Sequence, residues 1–505
     1  MASDAVGLEL LSRIVGYKLT KGDFSETTPN LPMRVAIFGE ANTANQLTLD
    51  TDGQAITTAQ QAGELYGYGS PIYHVMRILR PISGTGIGGI PTIVYAQEEA
   101  VGATAKVVEV AATGVATANG THTIVIGGRQ GVDGEIYDIN VQVGDDAAAI
   151  AQKIEDAVNN VLGSPVIAAS DPYVCNLTTK WKGLTANELT VSVLTNGNSL
   201  GITYTTQVIA AGSGTPSISG ALSQFGNEWV TIVVNSYGTV TSVMDALEAF
   251  NGIADPNSPT GRYAGIIFKP LIAITGSVAD DPSAITDARK AQMTIAIAPA
   301  PLSAAFSFEA AANMTALVAR TAQDTPHLDV NARSYPDMPV PASIGSMAVY
   351  LNRDAIMKKG CSTVDKVNGV YQVQDFVTTY HPVGEIPPQF RYARNLILDW
   401  NVRFGYYLLE QTNVVDHVIA NDADVVNATR VIKPKRWKGI LFSYADGLAL
   451  RGLVADPDFM KDSLAVNIST INPDRLETFF RYKRTGIARI ASTTAEAGFN
   501  FGTNN

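Results

Sequence analysis

The feature that most constrains the fold is a rhythm that starts, breaks and resumes. "MRVAIFGEAN" reads as a short apolar strand, "SPIYHVMRILRP" as a helix and "IPTIVYAQ" as the next strand. Ser70 is placed to cap that helix, Pro71 fits its first position, and Ile72, Val75, Met76 and Leu79 form its apolar stripe. This order is a βαβ unit. It returns after residue 215. There "EWVTIVVNSY" reads as a buried strand, and "TSVMDALEAFNG" as a helix with Val243, Leu247 and Phe250 on one side and Gly252 as its stop. "YAGIIFKPL" and "MTIAIAPAP" read as strands, with the helix "AITDARKAQ" between them and the longer helix "SAAFSFEAAANMTALVAR" after them. Apolar β-branched runs alternating with helices imply a mostly parallel sheet covered on both faces.

Residues 97 to about 212 interrupt this pattern with Ala, Gly, Thr and Asn and with short alternating strands: "KVVEVAAT", "THTIVIGG", "EIYDINVQV", "ELTVSVLT" and "GITYTTQVI". One amphipathic helix, "DDAAAIAQKIEDAVNNV", carries Ile150, Ile154, Val158 and Val161 on one face. The stretch ends at a linker, "AAGSGTPSISG". It is an insertion into the α/β domain. The fold class expected is α+β and multidomain. It comprises an α/β core with a mostly parallel sheet, an inserted β-rich domain, and an α+β C-terminal domain with strand-like terminal arms.

A chain of 505 residues exceeds one compact core. The expected division is an N-terminal arm over 1–25, the core over 26–96 plus 213–380, a peripheral insertion over 97–212, and a C-terminal domain over 381–505. Two arms frame it. "IVGYKLT" alternates Val15, Tyr17 and Leu19 on one side, with no hairpin partner beside it. At the other end "INPDRLETFFRYKRTGIARIAST" alternates, is aromatic and basic, and has no evident partner strand either. Between the core and that ribbon lie a long helix, "YARNLILDWNVRFGYYLLEQ", and "KPKRWKGILFSYADGLALRG", with Trp437, Ile440, Leu441, Tyr444 and Leu448 at helical spacing.

Charged residues are only 16%, well under the usual quarter. A surface of small polar residues suits packing against other subunits, and equally a solvated β-rich protein. The net charge of 36 − 47 = −11 argues against a nucleic-acid binder. It is uneven, since residues 475–490 carry Arg475, Arg481, Lys483, Arg484 and Arg489 against one acid, Glu477. That asymmetry fits self-association between unlike surfaces; a solvated basic face is the plainer reading. Two distant cysteines, Cys175 and Cys361, give no disulfide framework. No signal peptide or apolar span of membrane length is evident, so a reducing cytoplasm is the expected place of synthesis or assembly.

Chemistry is hard to place. "GTGIGG" matches G-x-G-x-x-G at Gly84, Gly86 and Gly89, but a helix precedes it and Pro91 and a strand follow. A dinucleotide site needs the reverse order, so a helix-to-strand loop is the better account. His74, His122, His327, His381 and His417 form no metal-binding spacing, and His74 reads as structural. There is no nucleophile elbow, and the adjacent pairs Asp280–Asp281 and Glu98–Glu99 read as solvated. No catalytic, cofactor-binding or metal-binding residue is assigned, and no cofactor is expected.

Several stretches, in order, carry a resemblance. "LPMRVAIFGEAN" with "LYGYGSPIYHVMRI" resembles the N-terminal part of contractile phage tail sheath proteins, where an "FGxGS"-like turn enters a Met-containing helix; here it reads Tyr66-Gly67-Tyr68-Gly69-Ser70. "DFVTTYHPVGEIPPQFRYARNLILDWNVRFGYY" is similar to the "VTTY" strand and following helix of that family, and "GLVADPDFMKDSLAVNISTINPDRLETFFRYKRTGIARIAST" to its closing "NPDRL" segment. Residues 97–212 are similar to the inserted β domain of the Mu-like branch. "FFRYKRTG" is more basic and aromatic than the family pattern. Some members carry a subtilisin-like label for their α/β core, which is a statement of fold and not of activity.

The resemblance implies a structural subunit, not an enzyme. Identical subunits stack around a tail tube and pair their terminal arms as strands, and the sheath contracts by rearrangement between two packings. It implies other sheath subunits, the tail tube protein, and baseplate and tail terminator proteins as partners. It implies no nucleic acid and no direct membrane insertion. The location implied is the virion tail, assembled in the host cytoplasm. The subunit-interface residues are then Val15, Tyr17 and Leu19, and Leu476, Thr478, Phe480, Arg481, Tyr482, Lys483, Ile487 and Ile490. The sheath of a phage-derived injection device fits equally. Another β-rich virion protein and an α/β hydrolase are the remaining alternatives.

Overall fold

The structure, a computed structural model, describes residues 29–84 and 86–497. These fall into two compact units, one spanning Leu31–Trp400 and one beginning at Asn401.

The larger unit opens with β1 (Val35–Glu40), β2 (Gln54–Ala55), α1 (Ala59–Tyr66), α2 (Pro71–Leu79) and β3 (Thr92–Gln97). Ser70 Oγ accepts the Tyr73 N–H at 3.1 Å and Pro71 opens α2, so local sequence sets this start. Next come β4 (Val107–Gly114), β5 (Gly120–Ile126), β6 (Gly131–Val132), β7 (Glu135–Ile136), β8 (Asp138–Val141) and α3 (Ala147–Asn159). They are followed by β9 (Val166–Asp171), β10 (Val174–Thr179), β11 (Val191–Leu194) and β12 (Ile202–Ala210). The chain continues through α4 (Ser219–Ser223), β13 (Ile232–Asn235), α5 (Thr241–Asn251), β14 (Ile272–Ser277), α6 (Ser283–Asp287), β15 (Ile295–Pro299) and α7 (Ser307–Asp324). It closes with α8 (Tyr350–Lys358), the hairpin β16 (Thr363–Val367) and β17 (Val370–Asp375), and the start of α9 (Ala393–Asn413).

The central sheet has the order β15-β14-β13-β1-β3-β2 and is parallel except for the edge strand β2. Segments from both sides of the interruption meet in it: Val35 pairs with Ile232 on one side and with Thr92 on the other. Every residue of β1, β13, β14 and β15 is buried, which is why these strands read as continuous apolar runs. The interrupting segment forms two antiparallel sheets, β12-β4-β10-β9 and β11-β5-β8, and the small pair β6–β7. Asp146 caps α3, whose Ile150, Ile154 and Val158 are fully buried.

One expectation fails here. "YAGIIFKPL" is not a strand: a 3-10 turn ends at Tyr263, Phe268 has a left-handed φ of 30°, and Ile266 is fully exposed. Pro270 has no N–H for a ladder. The strand begins only at Ile272. The helix expected over "AITDARKAQ" is short and starts earlier, at Ser283.

The second unit takes over inside α9. It then holds β18 (Val418–Ile419), β19 (Val431–Ile432), α10 (Pro434–Leu450), β20 (Val454–Ala455), α11 (Pro457–Ser463), β21 (Ala465–Ile468), β22 (Leu476–Phe479) and β23 (Lys483–Arg484). Trp437, Leu441, Tyr444 and Leu448 form the buried side of α10, and the Tyr444 hydroxyl donates to the Val402 carbonyl at 2.6 Å. No described helix is long and apolar enough to cross a membrane.

Candidate assembly surface

The C-terminal ribbon is not a lone strand. β22 pairs antiparallel with β21, with Ala465 opposite Phe479, Val466 opposite Thr478, Asn467 opposite Glu477 and Ile468 opposite Leu476. The expectation that Leu476–Tyr482 lacks a partner within the chain is therefore overturned. The partner lies just upstream, in "SLAVNIST", across the turn "INPDR". That turn is built locally: the Arg475 N–H donates to the Asn472 carbonyl at 3.1 Å and the Asp474 N–H to Asn472 Oδ1 at 3.0 Å. An Asn-Pro-Asp turn between two short alternating runs was the signal that could have revealed the hairpin.

The hairpin has two chemically different faces. Val466, Ile468, Leu476 and Thr478 are half-buried; Asn467, Glu477 and Phe479 are exposed. Trp437 Nε1 donates to Thr478 Oγ1 at 3.1 Å, which ties the inner face to α10. Phe480 continues that face, its ring 5.5 Å from Tyr406, which in turn meets Trp437 edge-on at 5.9 Å. Tyr482 follows, 6.3 Å from Phe480. A groove of about 490 Å³ runs along the hairpin, lined by Tyr406, Glu410, Asn467, Arg475, Leu476 and Glu477 among others.

Basic side chains punctuate the outer face. Arg481 lies over the Phe479 ring at 5.5 Å, and its backbone N–H donates to Ser463 Oγ at 2.8 Å. Lys483 pairs with Asp456 at 2.6 Å and covers the Phe459 ring at 4.3 Å. That ammonium and the Phe459 N–H hold the Asp456 carboxyl below the usual carboxylate range. Arg475 pairs with Glu477 at 3.0 Å. Part of the positive charge counted in the sequence is thus balanced locally.

Two edges stay open. β21 and β22 form a two-stranded sheet, so each has one side without a strand partner among the described residues. Among the described residues β23 pairs only with β20, Lys483 opposite Ala455 and Arg484 opposite Val454. Beyond it residues 485–497 take no helix or strand assignment. In that stretch Ile487 is half-buried and Ile490 is 85% exposed. The structure therefore gathers Leu476, Thr478, Phe480, Arg481, Tyr482 and Lys483 on one hairpin and its extension, with Ile487 and Ile490 further along. Val15, Tyr17 and Leu19 lie outside the described residues. Val466, Ile468 and Ser463, which hold the ribbon in place, were not singled out from the sequence, and Trp437 was read only as part of a helical stripe.

Elsewhere, the "GTGIGG" stretch joins α2 to β3, with the Arg80 guanidinium donating to the Gly88 and Ile90 carbonyls. His74 is buried among Tyr73, Phe306 and Phe308, and desolvation beside Arg77 and Arg129 keeps it far below its usual pKa. Both cysteines are buried; burial pushes the Cys175 thiol up to about 12. Among the described residues no group of three or more His, Cys, Asp or Glu is placed to hold a metal ion.

No family model matches the chain. Over 436 residues it is 23% identical to the Mu-like prophage FluMu tail sheath protein of Haemophilus influenzae, covering 84% of this chain and 85% of that protein. Among solved structures it aligns with the sheath tail protein of Desulfitobacterium hafniense at 10% identity and a TM-score of 0.44, over 93% of this chain and 100% of that one. It also aligns with the anti-feeding prophage helical sheath in its contracted state at 10% identity and a TM-score of 0.43, over 97% and 100% of the two chains.

Proposed function

We propose that this chain is a structural subunit of a contractile tail sheath, which polymerises around a tail tube and contracts by rearrangement of its subunits to drive the tube through the host envelope. The observation that carries the reading is the likeness to the FluMu tail sheath protein along 84% of the chain. The division of labour proposed is an α/β core over 26–96 and 213–380, a peripheral insertion over 97–212, an arm over 1–25 and a polymerisation domain over 381–505. The subunit acts without catalysis. Its partners are further copies of itself, the tube protein, and the baseplate and terminator proteins. It is assembled in the host cytoplasm and resides in the virion tail. A phage-derived contractile injection device would use the same subunit in the same way.

The hairpin supports a specific mode of assembly. Open strand edges beside a half-buried aromatic face accept further strands, because main-chain hydrogen bonds supply affinity and alternate side-chain pockets supply register. The strands proposed to add there are the Val15–Leu19 arm and the Ile487–Ile490 extension of neighbouring subunits. Contacts of this head-to-tail kind do not close on themselves and so propagate a helical lattice. The test is a pair of truncations, one lacking residues 1–28 and one lacking 486–505, which leave β21–β22 intact. Each should remain folded by circular dichroism yet give no tubes or rings in negative-stain images. Normal polymerisation by both would refute strand donation.

A further inference from the structure

Open parallel sheets take ligands in the crevice beyond the carboxyl ends of their strands, where the strand order reverses. Here the reversal lies between β1 and β13: β3 follows on one side of β1, and β13, β14 and β15 on the other. The crevice is therefore bounded by Glu40 at the end of β1, by Ser236–Gly238 after β13, and by the first turn of α7. It is not open. The inserted domain sends the segment Trp181–Leu189 into it.

Each part of that segment is held by the core. Trp181 is fully buried, edge-on to Phe306 at 5.5 Å and to Phe308 at 5.9 Å, and those two rings stack on each other at 4.8 Å. Its Nε1 donates to Thr185 Oγ1 at 2.9 Å, and the Thr185 hydroxyl donates to Glu40 Oε2 at 2.8 Å. Gly183 has a φ of 138°, and a Cβ there would stand 2.6 Å from Glu40 Oε1. Glu188 Oε2 accepts the Ser307 N–H at 2.6 Å, so a carboxylate from the insertion meets the positive end of α7. Opposite, Gly238 leaves room: a Cβ there would come within 2.8 Å of Ser307 Oγ.

The insertion's own stem grips the segment from behind. Lys106 Nζ donates to the carbonyls of Asn187 and Leu189 at 2.9 and 2.7 Å. The Gly183 N–H bonds to the Thr104 carbonyl and the Leu184 N–H to that of Gly214, which lie on the two crossings between core and insertion. A second fastening lies to one side. Arg129 of the insertion and Arg77 of α2 share Glu309 and Asp337, with the four contacts between 2.7 and 3.2 Å.

We propose that Trp181–Leu189 is a plug that fills the sheet's ligand crevice and makes the insertion and the core one cooperative body. The insertion is then no freely hinged appendage. Its root is part of the core. A corollary depends on the sheath reading: the insertion is carried rigidly with its core whenever subunits rearrange. The plug itself does not depend on that reading, and it is tested on the unassembled full-length chain.

Native-state hydrogen exchange in increasing denaturant provides the test. The plug amides of Gly183 and Leu184 should merge with the core amides of Ile37 and Val234 into one unfolding isotherm. Exchange of the plug a hundredfold or more faster than the core, through its own low-energy opening, would overturn the proposal. The double variant Thr185→Ala, Glu188→Ala should also accelerate exchange at Ser307–Ala310 at least tenfold. Unchanged exchange there would equally overturn it. Should the variant not fold, the wild-type isotherm decides alone.

Discussion

The parallel sheet and the C-terminal hairpin solve the same problem in opposite ways. In β1, β13, β14 and β15 every residue is buried, and even in the edge strand β15 the Ile295 carbonyl accepts the Thr379 N–H from elsewhere in the same unit. In β21–β22 only alternate residues are half-buried, and two strand edges have no partner among the described residues. Open edges are a hazard in a protein that must stay alone and a tool in one that must assemble. The first region stabilises the subunit; the second, on the proposed function, joins subunits. Substitutions in the two should therefore separate folding from assembly.

The largest effect is expected in the sheet. Gly276, the penultimate residue of β14, lies under the first turn of α7, and a Cβ there would stand 1.7 Å from the Ser307 carbonyl oxygen, which is backbone and cannot swing away. Gly276→Val should cost more than ~4 kcal/mol and leave no cooperative thermal transition. A variant that melts like wild type would show that α7 does not pack on β14 as closely as described. In the second unit the counterpart is Trp437, fully buried and bonded to Thr478. Trp437→Ala should cost roughly 3–5 kcal/mol. Limited proteolysis should then cut faster between residues 469 and 485, while the Leu31–Trp400 unit stays resistant.

The same contrast explains what could be read in advance. The sheet was legible because buried parallel strands leave unbroken apolar runs, and because Ser70-Pro71 and Gly252 are local signals whose meaning does not depend on tertiary contacts. "YAGIIFKPL" misled because Ile266 and Ile267 have strand composition but lie in turns, with Ile266 wholly exposed; composition reports fitness for burial and not burial itself. The hairpin was half legible. The alternation of Leu476, Thr478 and Phe480 was visible, but the four-residue strand Ala465–Ile468 was too short to stand out beside the helix before it. The plug left no sequence trace, because Thr185 meets Glu40 across 145 positions and Glu188 meets Ser307 across 119.

The crevice itself gives the next prediction. Burial, opposed by the Thr185 hydrogen bond and reinforced by Glu99, raises the Glu40 carboxyl to about 8; burial raises Glu188 as well. Between about pH 4.3 and 8 the folded state keeps a proton on Glu40 that the unfolded chain releases, so stability falls as pH rises through that window. Glu40→Gln removes this loss and still accepts the Thr185 hydroxyl. Denaturant titrations should find the variant close to wild type at pH 4 and more stable by several kcal/mol at pH 9. Glu188, also raised by burial, should contribute a slope of the same sign. Equal stability at both pH values would mean that Glu40 is solvated, and that the plug does not seal the crevice.

The smallest effect on the isolated subunit carries the sharpest form of the comparison. Ile490 is 85% exposed in a stretch without strand assignment, so Ile490→Ser should change subunit stability by less than ~0.5 kcal/mol. On the proposed function, a neighbouring subunit covers this side chain. Polymerisation, followed by sedimentation, should therefore weaken markedly in Ile490→Ser while the melting curve stays put. Arg481, exposed over Phe479, should behave alike, with a defect that fades at high salt if its charge steers pairing, because salt screens that attraction in the wild type as well, and is salt-independent if its stem only packs. An Ile490→Ser subunit that assembles as wild type does would place the working edge on β21–β22 and leave the extension outside the joint. One that loses stability and polymer together would show that the tail belongs to its own subunit's fold, and the two regions would then differ in degree and not in kind.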